Sequence, residues 1–310
     1  MGKRSPLLAA LAITTTVLVW ATAFPAIALA LRDISPIPLA SLRYSIAAVF
    51  ALLWLLWRRP ARMAAADFAL CLGCGVLGAV GYSVFVNIGQ QTVSAGATGF
   101  LVKTESLWMA ALAIIFLGER FGARAWGGSL LAFAGVGIIG ASQHGELSFG
   151  GGAVFVLAAA FCSASGFVLQ RKLLARYGPP HVAAIVFIAA ALALAPWLPQ
   201  AIGEAEGASL SSLGWVAFLG IFPTTVGQIC WTYSLNHFGV ARAGNFLYLV
   251  APITVLVAWI LAGETPMAAT IFGGALILGG VLLVNTRRRQ KPVETIPPAA
   301  EVEACADRAR

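Results

Sequence analysis

Leu117-Gly118-Glu119-Arg120-Phe121 closes one long apolar stretch, and Ala262-Gly263-Glu264-Thr265-Pro266 closes another, 145 residues further on. The first leads into Gly127-Gly128 and Gly135-Val136, the second into Gly273-Gly274 and Gly280-Val281. At this offset ten of the forty positions from Gly99 to Ile138 carry the same residue. A chain rich in Ala, Leu and Gly supplies several identities by composition alone, but not a Gly-Glu pair at the same place in both copies. The repeat predicts two related halves, and in a membrane chain two related halves are the usual build of a transporter.

Composition supports the membrane. The chain is 60% hydrophobic and 10% charged, with a mean hydropathy of +0.88, which excludes an ordinary soluble domain. Apolar stretches run near 7–31, 38–57, 68–90, 95–117, 122–141, 149–170, 182–200, 211–235, 240–262 and 267–285. Each is close to the ~20 residues that a helix needs to cross roughly 30 Å of hydrocarbon. In lipid each backbone must satisfy its own polar groups, so these stretches are expected to be helices. The expected fold is an all-α integral membrane protein with ten transmembrane helices in two five-helix repeats, 7–141 and 149–285. An odd number of spans per copy turns the second copy upside down, so the repeats are expected to be inverted. Residues 286–310, basic and then rich in Pro and Glu, read as a disordered cytosolic tail. Lys3-Arg4 and Ala21-Thr22-Ala23 imitate a secretory signal, but the apolar run continues to Leu31 and further spans follow, so it reads as a retained first helix.

Charge sets the expected orientation. Arg58, Arg59, Arg62, Arg120, Arg124, Arg171, Lys172, Arg176 and Arg242 fall on the same side as both termini. Asp33, Glu146, Glu204, Glu206 and Glu264 fall on the other. This asymmetry predicts a multi-pass protein of the cell (inner) membrane with cytoplasmic N- and C-termini. The net charge of +8 then implies anionic lipid at helix ends, and no nucleic-acid partner, because the basic residues form no patch with interleaved aromatics. Cys71 and Cys74 form a Cys-x-x-Cys without a second pair or a nearby His, so buried packing is expected rather than a metal, and Cys162 and Cys230 read alike. No phosphate-binding glycine loop is present, so neither ATP nor another cofactor is expected.

Several short motifs recur in a fixed order: Trp20-Ala21-Thr22-Ala23-Phe24, Ser35-Pro36, Leu42-Arg43-Tyr44, Ser94-Ala95 and Gly118-Glu119 in the first half. Gly239-Val240-Ala241-Arg242-Ala243, Ala251-Pro252 and Gly263-Glu264 follow in the second. Over 7–285 the chain resembles the EamA-type branch of the drug/metabolite transporter superfamily. The resemblance implies a central cavity lined by helices 1, 3, 4, 6, 8 and 9, with helices 5 and 10 at the periphery. One departure is Leu107, where the repeat partner has Pro252.

Almost every charge lies in a loop or at a helix end; Lys103 and Glu105 lie deep in the fourth span. A charge there costs on the order of 2.5–3.5 kcal/mol by insertion scales, so both need polar surroundings. At 3.6 residues per turn they point about 200° apart, which predicts one in the cavity and the other against a neighbouring helix. Lys103 is assigned to the cavity, as a cation suited to a substrate carboxylate or phosphate, and Tyr248 stands at its repeat-equivalent position. Glu105 is a candidate proton-coupling carboxyl; a buried ion pair with adjacent helices is the structural alternative for both. Arg43, on the first turns of the second span, either guards an entrance, pairs with Glu105, or snorkels to the interface. Trp20, Gln228 and Asn245 complete the expected substrate site, with inter-helix bonding as the alternative for the amides. Gln90, Gln91, Gln170 and Asn236 lie near helix ends and read as interface anchors. Glu119 and Glu264 read as turn residues that favour the N-terminus of the next helix. The glycines of helices 5 and 10 allow close packing, within the chain or in a homodimer.

The expected function is a secondary transporter that exports small organic metabolites such as amino acids by alternating access, the amino acids being what the resemblance implies. Efflux of hydrophobic or cationic drugs is the alternative; Glu105 and the aromatics suit it and Lys103 opposes it. An intramembrane enzyme is disfavoured, because His144, His181 and His237 lie in loops or at helix ends and no Asp lies mid-span.

Overall fold

The computed structural model describes residues 6–93, 95–119, 121–142, 151–253 and 268–285. Lys3-Arg4, Ser94, Arg120, His144, Glu146, the Gly263–Pro266 motif and the 286–310 tail lie outside the described residues. Most of the described chain is helical. We label the helices α1 (Leu7–Ala30), α2 (Pro36–Arg58), α3 (Ala65–Gly89) and α4, in two pieces (Ala95–Val102 and Thr104–Leu117). Next come α5 (Ala123–Ser142), α6 (Ala153–Tyr177), α7 (Pro179–Gly207), α8 (Leu210–Phe238), α9 (Val240–Ile253) and α10 (Ala268–Asn285). Six of them, α1–α3 and α6–α8, are long and apolar enough to cross a membrane. Large apolar side chains face outward on most of them, among them Leu52, Leu56, Trp57, Val154, Ile271 and Leu282. In water such a surface would be a liability; in lipid it is the solvated face. The interior is filled by Ala, Val and Leu around the large rings of Trp231 and Tyr248.

The 145-residue offset found in the sequence is also written in the backbone. A wide π turn interrupts α3 at Gly75–Gly81, and another interrupts α8 at Gly220–Gly227. α4 loses its regular turn at Lys103, and α9 tightens to a 3-10 turn at Leu247–Leu249, which contains the equivalent position. Gly75 and Gly220 permit close crossings there: an added Cβ would meet Val186 O at 2.9 Å and Ile46 Cβ at 2.8 Å. Breaks of this kind leave backbone groups to be satisfied by neighbours. In α8, which also carries Pro223, Trp20 Nε1 donates to Pro223 O (3.0 Å) and Thr16 Oγ1 to Gly227 O (3.2 Å).

α5 and α10 pack along each other at the edge of the bundle. A Cβ on Gly128 would stand 2.7 Å from Gly280 O, and one on Gly135 2.6 Å from Gly273 O, so these glycines are spent on contact within the chain. A homodimer through these helices would have to use their outer faces, which carry Leu130, Leu131, Ile271 and Leu278.

Polar bonds tie the helix ends at both faces. At the end of α1, Asp33 accepts from Ser209 Oγ, Ser209 N and Ser212 Oγ (2.7, 3.1 and 2.7 Å), and the bonds from Ser212 and Ser209 hold its carboxyl below the usual aspartate range. At the opposite face Asp67 accepts from Arg176 Nη1 and from the Tyr177 hydroxyl, both at 2.6 Å. Glu119 follows Gly118, whose left-handed backbone (φ 63°) lets Glu119 N donate back to Ala113 O at 3.2 Å. Its carboxylate then accepts the N–H groups of Val240 and Ala241, each at 3.0 Å. This corrects the sequence expectation: Glu119 caps α9, a helix of the other repeat, rather than the helix that follows it in sequence.

Candidate functional site

The helix breaks converge on a central cavity that encloses about 80 Å³ open to water. One water needs only roughly 10–15 Å³ by the same measure, so the space is ample for polar contents. Its wall is drawn from α1, α2, α3, α4, α6, α7 and α8. Two differences from the expected lining are plain. α2 and α7 contribute, through Arg43, Tyr44, Val186 and Phe187, and no described residue of α9 does.

Lys103 and Glu105 both line the cavity, and both are 4% exposed. The expectation that only one would do so assumed 100° of rotation per residue through the fourth span. Lys103 is itself the turn residue, with Ser106 N donating to Lys103 O (3.2 Å) across the break and Thr104 Oγ1 to Leu101 O (2.7 Å), so the regular count does not run through it. Lys103 Nζ stands 5.9 Å from the Phe24 ring centroid, a cation–π distance. Ser163 lines the cavity together with Glu105, whose Oε1 has no partner among the described residues. The expected pairing of Arg43 with Glu105 is absent among the described residues, as is a Lys103–Glu105 ion pair.

Arg43 does not snorkel. It is 6% exposed and lies in the cavity wall, with Nε and Nη2 donating to Thr224 Oγ1 (3.3 and 3.2 Å) and Nη1 to Ser83 Oγ (3.4 Å). Trp20 and Gln228 line the cavity as expected from the sequence. Trp20, Trp231 and Phe167 form a row of rings with centroids 5.5 Å apart at each step.

Tyr248 and Asn245 are not among the lining residues, and here the expected site is corrected. Tyr248 is fully buried in an apolar cluster with Ala132, Val136, Ile277 and Val281 of α5 and α10. Symmetry finds the equivalent break but not the direction of the side chain: the tyrosine ring packs among apolar neighbours, its hydroxyl buried without a partner among the described residues, whereas an ammonium must reach polar space. Asn245 is bonded between helices, donating to Ala241 O (2.7 Å) and accepting from Ser129 Oγ (2.6 Å). Gln170, expected at an interface, instead lines the cavity at 3% exposure, with Nε2 on Gly166 O (3.1 Å) and Oε1 unpartnered. Ser163, Thr224, Tyr44 and Phe167 also line it and went unnoticed as site residues in the sequence. Pro223-Thr224-Thr225 inside an apolar span was the available signal for Thr224. Among the described residues no cluster of His, Cys, Asp or Glu could hold a metal, and Cys71 and Cys74 are buried free thiols.

Comparison with known proteins agrees with this architecture. The family model described as the EamA-like transporter family matches twice, over residues 7–141 and 150–286. A "Probable terminal-alkyne amino-acid exporter" of Streptantibioticus cattleyicolor is 32% identical over 290 residues, covering 93% of this chain and 96% of that protein. A "Probable amino-acid metabolite efflux pump" of Salmonella typhimurium is 26% identical over 281 residues, covering 86% and 91%. A solved crystal structure superimposes with a TM-score of 0.72 at 21% identity, over 91% of this chain and 97% of that one, which bears on the fold alone. A multi-pass helical chain with a central cavity, matched in both halves by one family model, belongs to the EamA-like transporter family, and is a transporter rather than an enzyme.

Proposed function

We propose that the protein exports small organic metabolites of the amino-acid class by alternating access, from a cell membrane in which both of its termini are cytoplasmic. The observation that carries this reading is the cavity itself: Lys103, Arg43 and Glu105 are buried at mid-bundle, line one space and form no ion pair with each other. Ionisable groups kept at that depth without a direct ion pair are expected to serve a solute. Lys103 offers a cation to a substrate carboxylate, Trp20 and Gln228 shape the site, and Glu105 serves proton coupling. The names of the two relatives point to the same class of solute. Two related halves, with matching breaks in α3 and α8, supply the two states that alternating access needs.

The test is metabolite profiling of medium from cells making the wild type or Lys103→Ala, followed by uptake of the strongest hit into proteoliposomes. Loss of the exported compound with Lys103→Ala is expected; identical profiles would remove Lys103 from the site. Efflux of a hydrophobic cation is the second reading, favoured by Glu105 Oε1, unpartnered among the described residues, in a cavity that Trp20 and Phe167 also line. It predicts that Glu105→Gln, and not Lys103→Ala, abolishes transport.

A further inference from the structure

The cavity holds two cations, Lys103 and Arg43, against one carboxylate, Glu105. The contacts of Arg43 do not change that balance. All three go to neutral hydroxyls, at 3.2–3.4 Å, longer than the ~2.7–2.9 Å of a bond assisted by opposite charge. Thr224 already donates its own proton to Leu219 O at 2.7 Å, so its oxygen is held as an acceptor that steers the guanidinium without neutralising it. Two of the five N–H donors of Arg43 remain for a ligand. The Lys103 ammonium has a ring face and no hydrogen bond among the described residues. The two cations also reach the cavity from different walls. Arg43 comes from α2 and is braced by α3 and α8, whereas Lys103 comes from the break in α4, over Phe24 of α1. A zwitterion with its one carboxylate at Lys103 and its ammonium at Glu105 would leave Arg43 buried and uncompensated.

We propose that Arg43 and Lys103 bind two separate anionic groups of one substrate while Glu105, once it has released its coupling proton, takes the substrate's ammonium, so that the site prefers amino acids carrying a second carboxylate over their neutral amides. This deepens the function proposed above and rests on it. The charges then balance: two anions and one ammonium meet two cations and one carboxylate. Glu105 Oε1, which has no partner among the described residues, is the oxygen available to the ammonium. An amide in place of the second carboxylate has nearly the same shape but leaves Arg43 buried without a counter-charge, the kind of mismatch that polar sites reject strongly.

The experiment is counterflow in proteoliposomes preloaded with unlabelled amino acid, using radiolabelled glutamate and glutamine, with all twenty amino acids as competitors. Wild type is expected to carry glutamate about tenfold or more better than glutamine. Arg43→Gln is expected to bring the two rates within about twofold, and Lys103→Gln to lose both. Should Arg43→Gln not fold, the wild-type ratio decides alone. Equal rates for glutamate and glutamine in the wild type, or a folded Arg43→Gln that keeps the wild-type ratio, overturns this inference and leaves amino-acid export standing. The latter result makes Arg43 a structural tie between α2, α3 and α8. No counterflow with any amino acid removes both.

Discussion

Lys103 is placed where α4 loses its regular turn, and a single residue thereby sets the character of the cavity. Its depth was legible in the sequence, because a lysine eight residues into an apolar span stands out. Its company was not: Arg43 and Gln170 sit near helix ends in the sequence, where snorkelling is the ordinary fate of such side chains, and only the packing of α2 and α6 turns them inward. Glu119 shows the same limit. The sequence identifies it as a helix-end residue, but not which helix it caps, because the partner lies across the repeat. Gly239, whose φ of 82° only glycine adopts freely, makes room for that carboxylate; a Cβ there would stand 3.2 Å from Glu119 Oε1. Glu119→Gln keeps the shape and removes the charge facing the N-terminus of α9. It is expected to cost roughly 0.5–2 kcal/mol, read as a lower midpoint of thermal unfolding in detergent. An unchanged midpoint would mean that the cap contributes nothing.

At the scale of the elements, the interruptions matter more than the helices. Ten apolar stretches were readable by length alone; among the described residues most ends fall within about three residues of those expected, α6 and α7 each run seven residues further, and the end expected at 262 lies outside the described residues. The π turns in α3 and α8 were not readable, because Gly and Pro within an apolar run are compatible with a kink, a close crossing or neither. In α3 the turn brings Gly78 against Gly166 of α6, so closely that a Cβ on Gly78 would stand 2.9 Å from the Gly166 Cα. Backbone cannot yield as a side-chain tip can. Gly78→Ala is therefore expected to push α3 from α6, at a cost of about 1–3 kcal/mol, and to slow transport by deforming the cavity wall between Cys74 and Tyr82. Transport per folded molecule at the wild-type rate would show that this crossing does not shape the site.

At the scale of the whole molecule, the repeat organises both the cavity and its ends. The offset of 145 residues maps Asp67 onto Ser212, and Arg32, the neighbour of Asp33, onto Tyr177. The ties Asp67–Tyr177 and Asp33–Ser212 are thus equivalent contacts at opposite faces, one joining the start of α3 to the end of α6, the other the start of α8 to the end of α1. In the alternating access proposed above, such bonds would open in turn. The Gly-Glu motif revealed the two halves, yet the same symmetry misplaced Tyr248, because side chains are free to diverge where backbones still correspond. The solute is proposed to bind in the space around Lys103 and Glu105. The most direct test is alkylation of Ser163→Cys, in a variant whose native cysteines are replaced, with and without the exported amino acid. A water-soluble thiol reagent is expected to modify this position, and the amino acid to slow the reaction in a saturable way while a sugar does not. A thiol that is unreactive from both sides of the membrane, or equally reactive whatever is added, would contradict the account.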